Sequence, residues 1–160
     1  MILPAAHLDH AAHNPRRTCK HTQAFFTAAA DCARPLNVVG EHITVLASGD
    51  TTGSYEVFLQ EGPEGSGPIP HTHPWAESFY VIRGEVDFSV NRSELRTARP
   101  GDLVHVPAGA PHWFRWTCAG AMLSMTSRLG ASRLFTDIDR EIAPDKPDVD
   151  KLIAIGCATA

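Results

Sequence analysis

From Leu36 onward, apolar and polar residues alternate with a period of two, the pattern of half-buried β-strands. The clearest run is residues 86–90, where Val86, Phe88 and Val90 alternate with Asp87 and Ser89. Residues 42–47, 55–60, 79–82, 95–98, 103–106, 112–117 and 121–127 are the other predicted strands. Short segments rich in Gly, Pro, Asn and Ser separate them, at 48–53, 91–94, 100–102 and 107–109. Many short strands at even spacing, with no internal repeat, predict one all-β unit, an antiparallel sandwich or barrel.

The period lengthens at the end of the chain. Residues 132–142 place Leu134, Phe135, Ile138 and Ile142 at helical spacing, and Pro144 stops the run. Phe135 is read as core rather than substrate contact. A second helix is expected over 148–155, capped by Asp148 and stopped by Gly156. These helices would cover one barrel opening or form a dimer contact. At the other end, Thr22–Ala33 is expected to be a short helix, with Phe25, Phe26 and Ala29 as its apolar face and Pro35 after it. His7, His10 and His13 fall at three-residue spacing, and a solvated terminus is the simpler reading than a second metal site. The expected organisation is an N-terminal extension over 1–34, a barrel over 35–128 and a helical tail over 129–160.

Composition adds exclusions. The length of 160 residues suits one domain. Net charge is −4 with no basic block, which argues against a nucleic-acid partner. No apolar run reaches membrane-spanning length, and the N-terminus lacks a basic region followed by an apolar core. The four cysteines are far apart and form no Cys-x-x-Cys, so free thiols in the cytoplasm are expected. Nine histidines are the anomaly.

Two of them, His71 and His73, follow a Gly- and Pro-packed loop, and Glu77 comes four residues later. Side chains two apart on a strand point the same way, so His71 and His73 share a face. Pro74 interrupts that parity, and Glu77 needs only to begin the next strand on the same wall. Imidazole and carboxylate together suit a divalent first-row metal, and His112 offers a third imidazole. His105 lies on the opposite parity from Val104 and Val106 and is read, like His42, as surface or as a neighbour of the ligands. Trp75, Trp113 and Arg115 stay open between surface and core.

These segments resemble the two motifs of the cupin family. Gly65, His71, His73, Glu77 and Gly84 match the first, and Gly101, Pro107, Gly109 and His112 the second. The final position of the second motif is Trp116 where the family has Asn, which puts local hydrogen bonding in doubt but not coordination. The resemblance implies a jelly-roll barrel with the site inside its mouth, holding one divalent ion of Fe, Mn, Ni, Co, Cu or Zn on His71, His73, Glu77 and His112. Over about residues 36–155, segment order resembles small bacterial cupins related to quercetin 2,3-dioxygenase. That implies dioxygenation of a small, largely apolar enol or phenol, with Glu77 as catalytic base and Phe79, Phe88, Phe114 and Trp116 lining the substrate pocket. Two other readings stand beside it: a non-enzymatic cupin that binds a small molecule, and a metal-dependent isomerase or epimerase. A homodimer is expected from the habit of the family.

Overall fold

The computed structural model describes residues 23–159, apart from 92, 128, 129 and 145. Among the described residues, nine strands carry the fold: β1 (Leu36–Val38), β2 (Glu41–Ala47), β3 (Glu56–Gly62), β4 (Glu77–Arg83), β5 (Val86–Val90), β6 (Arg96–Ala98), β7 (Leu103–Val106), β8 (His112–Trp116) and β9 (Gly120–Thr126). Three helices accompany them: α1 (Gly49–Thr52), α2 (Ala131–Glu141) and α3 (Val149–Thr159). The strands form two antiparallel sheets, one in the order β1-β2-β3-β9-β4-β7 and one in the order β6-β5-β8. The all-β jelly-roll reading with C-terminal helices is the architecture observed.

Alternation places the core as expected of strands with one buried face. On β3 every second residue from Glu56 to Gly62 is buried, and on β4 Glu77, Phe79 and Val81 are buried. Phe79, Val81, Val86, Phe88, Phe114, Trp116 and Met122 fill the space between the sheets. The Gly- and Pro-rich loop before His71 runs beside β8 as an extra edge. Gly65 N–H donates to Trp116 O, Trp116 N–H to Ser66 O, and His71 and His112 exchange both backbone bonds at 3.0 Å. Gly67 is required here: its φ is +142°, and a Cβ would meet Phe114 O at 2.1 Å.

The tail helices attach outside the barrel. Ile43, Phe58, Trp75 and Ala131 make a second cluster that Leu134 and Phe135 pack against, and the Phe135 ring meets Phe58 edge-on at 5.1 Å. Phe135 is therefore core. The start of α2 has no cap of its own. Buried Glu56 supplies one from the barrel: its carboxylate accepts the Gly130 and Ser132 N–H groups and the Ser132 hydroxyl, and also the Gly49 N–H. A carboxylate at a helix N-terminus satisfies orphan donors and meets the positive end of the dipole.

One expected element is absent. In place of a helix over 22–33 there is a single 3-10 turn, Ala29–Asp31, and residues 23–28 are not helical. Phe25 and Phe26 are 48% and 90% exposed, so the proposed apolar face packs on nothing that would offset the entropy of ordering a short helix. Residue 22 itself, like His7, His10 and His13, lies outside the described residues. The short strand β1 and the one-turn helix α1 were not predicted.

Candidate metal centre

The three sequence-predicted histidines arrive from two directions. His71 and His73 come from the loop beside β8, and His112 opens β8 itself. The Pro-x-Gly turn fixes their relation: Gly109, at φ +74°, donates its N–H to His73 O at 2.9 Å. Ring centroids lie 4.3 Å apart for His71 and His112, 4.8 Å for His73 and His112, and 5.7 Å for His71 and His73. One ligand nitrogen from each lies within 4.8 Å of the others.

Backbone carbonyls decide which nitrogens those are. His71 Nδ1 is 2.9 Å from Ile69 O, His73 Nδ1 is 2.7 Å from Trp75 O, and His112 Nδ1 is 3.0 Å from Ala110 O. A carbonyl only accepts, so each Nδ1 carries the proton and donates it. In the neutral rings all three Nε2 atoms are then left with a free lone pair. His112 Nε2 is buried and has no hydrogen-bond partner. A neutral imidazole whose other nitrogen donates to a carbonyl is the form that ligates metal. Burial first, and then the neighbouring imidazole of His71, pushes His112 down to about 4. Burial also lowers His71, against the opposing pull of the Ile69 carbonyl. At neutral pH both rings are uncharged, which is the state a cation needs.

Glu77 begins β4, buried, with Oε2 2.9 Å from His73 Nε2. With Nδ1 committed to Trp75 O, a neutral His73 would face the carboxylate lone pair to lone pair. Only a proton or a metal cation between them makes that contact favourable. The three imidazole nitrogens are close enough together to serve one divalent ion, while Glu77 meets only His73 among them and stands outside that close-set group.

Trp75, left open by the sequence, is buried, and its ring stacks on His73 at 4.6 Å and 11°. It joins the histidine to the cluster under α2. Its place after His-x-His-Pro gave no sign of this. His105 is exposed and bonds to Ser78 Oγ at 3.0 Å on the outer sheet face, while Val106 beside it is buried. It is a surface residue, as is His42.

The four aromatic residues expected at a substrate pocket are at most 3% exposed. Phe79, Phe88 and Phe114 pack as a triangle with centroids 5.2–5.6 Å apart. In register they lie one inward step from Glu77 and His112 and so form a floor beneath the histidines. Trp116 is different. It stands at the opposite end of β8 from His112, over Gly62 and Gly120, and does not border the histidines.

Residues 58–125 match the Cupin domain family model. Quercetin 2,3-dioxygenase of Bacillus subtilis (strain 168) is 35% identical over 75 residues, 46% of this chain and 22% of that protein. Dimethylsulfoniopropionate lyase DddQ of Ruegeria pomeroyi is 33% identical over 63 residues, 39% of this chain and 30% of that protein. The chain thus spans less than a third of the length of either curated relative. Among solved structures, an RmlC-like cupin from Shewanella frigidimarina superposes with a TM-score of 0.62 at 16% identity, over 69% of this chain and 96% of that one.

Proposed function

We propose that this chain, which matches the Cupin domain family over residues 58–125, holds one divalent transition-metal ion on His71, His73, His112 and Glu77 and works as a dioxygenase-like enzyme on a small, largely apolar enol or phenol. The observation that carries the reading is the commitment of all three Nδ1 atoms to backbone carbonyls, which turns three Nε2 atoms toward one partly buried place. The partial similarity to a quercetin 2,3-dioxygenase supports the reaction class.

An ion bound there supplies Lewis acidity and, if redox-active, a route to oxygen chemistry. The protein does the rest. Glu77 Oε2, at the rim of the imidazole group, takes the proton of an enol or phenol hydroxyl. Trp75 fixes the plane of His73, and the Phe79–Phe88–Phe114 floor keeps water from beneath the reacting group. The mostly apolar floor disfavours the isomerase or epimerase reading, whose sugar substrates call for charged groups beside the metal. The same dense floor favours a second reading, a cupin that binds a small ligand without turning it over. A homodimer belongs to the proposal, supported by Tyr80, Ile82, Leu103 and Met125, which stand 46–64% exposed on the outer face of the larger sheet. So does a cytoplasmic setting, supported by the free thiols of Cys32, Cys118 and Cys157.

The test is oxygen uptake by protein loaded in turn with Fe, Mn, Co, Ni and Cu, across enols, β-diketones and flavonols. Uptake with at least one pair, lost in Glu77→Gln while metal is retained, is the expected result. Metal binding without uptake on any substrate leaves the ligand-binding reading. Full turnover by Glu77→Gln removes Glu77 from the role of base.

A further inference from the structure

β6 and β7 are the outermost strands of their two sheets, and they are consecutive in the chain. They diverge from the turn at 99–102, and a groove of about 420 Å³ opens between them. That volume lies in the range of small-molecule sites. Its floor is apolar: Phe88, Val90, Ala98 and Val104.

One cation stands over this floor. Arg96 pairs in register with Phe88, as Ala98 does with Val86, so Arg96 shares the inward face of its sheet with the floor residues. Arg34, Arg83, Arg99 and Arg140 each pair with a carboxylate, whereas the Arg96 side chain, like those of Arg115 and Arg133, forms no hydrogen bond or ion pair with any other described residue; of these three only Arg96 lines the groove. Its aliphatic stem extends the apolar surface while five N–H donors stay free. The rest of the rim sets limits on what it takes. Asp102 accepts the Arg99 N–H at 2.8 Å, and Glu94 lies near the opening. Two carboxylates beside one guanidinium repel a polyanion but leave room for one planar, bidentate carboxylate on Arg96.

We propose that the groove between β6 and β7 is a second binding site, beside the histidine centre and sharing Phe88 with its floor, for a small amphipathic monocarboxylate whose apolar body lies on Phe88, Val90, Ala98 and Val104 and whose carboxylate pairs with Arg96. Phe88 and Val90 are shared with the histidine side: Val90 pairs in register with His112, and Phe88 packs on Phe79 and Phe114. The site does not depend on a metal.

The probe is 3-phenylpropanoate, titrated into the full chain stripped with EDTA and followed by amide chemical shifts. The expected result is saturable binding that shifts the amides of Phe88, Arg96 and Val104. Arg96→Gln weakens it at least tenfold, the neutral amide of the same acid binds at least tenfold more weakly, and inorganic phosphate does not compete. Absence of saturation, equal affinity in Arg96→Gln, or shifts centred on residues 71–77 would each overturn the proposal. The last outcome would give the carboxylate to the histidine centre instead.

Discussion

The two ends of the barrel bury polar groups equally well and treat them in opposite ways. At one end Glu41 is 3% exposed, yet Gln60 Nε2 donates to it at 2.6 Å and Ser66 Oγ at 2.9 Å. The Trp116 indole N–H faces the same carboxylate without completing a hydrogen bond. Burial pushes the Glu41 carboxyl up, and these donors hold it partly back. At the other end His112 is 1% exposed, and the groups around its Nε2 are acceptors like itself. A buried polar cluster that satisfies itself specifies structure, whereas a cluster of lone pairs aimed at one another needs something from outside. A cation is what the lone pairs of the histidine end call for and the self-satisfied Glu41 end does not.

Substitutions separate the two ends. His73→Ala is expected to lower metal affinity by more than the roughly 100-fold that follows loss of an outer partner of a ligand. Metal content after dialysis reads this, and unchanged content would contradict the coordination. Trp75→Ala comes next. It takes the stacked ring from His73 and lowers metal affinity about 10–100-fold. It also costs about 3–5 kcal/mol of stability, since the ring is packed beneath α2. Trp75→Phe keeps a ring on His73 and should recover most of the affinity; if Trp75→Ala binds metal normally, the stack has no positioning role.

Acid should act on the two ends with opposite sign. In metal-free protein the native His112 ring titrates at about 4, below the unfolded value. Between about pH 6.5 and pH 4 the unfolded chain therefore holds the extra proton, and stability falls as pH falls, on the order of 3 kcal/mol for this group. Glu41 runs the other way, because its native pKa is raised: its burial is best tolerated below the unfolded carboxylate range and costs stability as pH rises through its native value. Urea melts between pH 7 and pH 4 on His112→Asn and Glu41→Gln should show the first flattening the acid loss and the second deepening it. The smallest effect is that of Glu41→Gln at neutral pH, within about 1 kcal/mol and with metal content unchanged. Loss of metal in that variant would mean that the two ends are coupled.

The sequence made the histidine end far more legible than its counterpart. The alternation of Val86, Phe88 and Val90 located strands, and the spacing from Gly65 to Gly84 and from Gly101 to His112 located the three imidazoles. What fixes their tautomers is backbone, the carbonyls of Ile69, Trp75 and Ala110, and carbonyls leave no trace in a pattern of side chains. Glu56 fell inside a predicted strand and Glu41 just before one, and nothing in the pattern marked either. Their partners lie far along the chain: Gln60 and Ser66 for the first, Gly130 and Ser132 for the second. Phe25 and Phe26 misled in the other direction, since a local helical pattern does not form without a surface to pack on. Trp116, a ring on the same parity as His112, turned out to serve the far end because four residues of strand separate them.

The most direct measurement is long-range ¹H–¹⁵N correlation on histidine-labelled protein, titrated with Zn²⁺ at neutral pH. Before metal is added, His71 and His112 should show Nδ1–H tautomers, and His73 should carry its Nδ1 proton. Their three Nε2 resonances should then shift together and saturate at one equivalent. Loss of the Nδ1 proton at any of the three, an Nε2–H tautomer at His71 or His112, or a titration in which fewer than three Nε2 resonances respond, would contradict a single cation held by all of them.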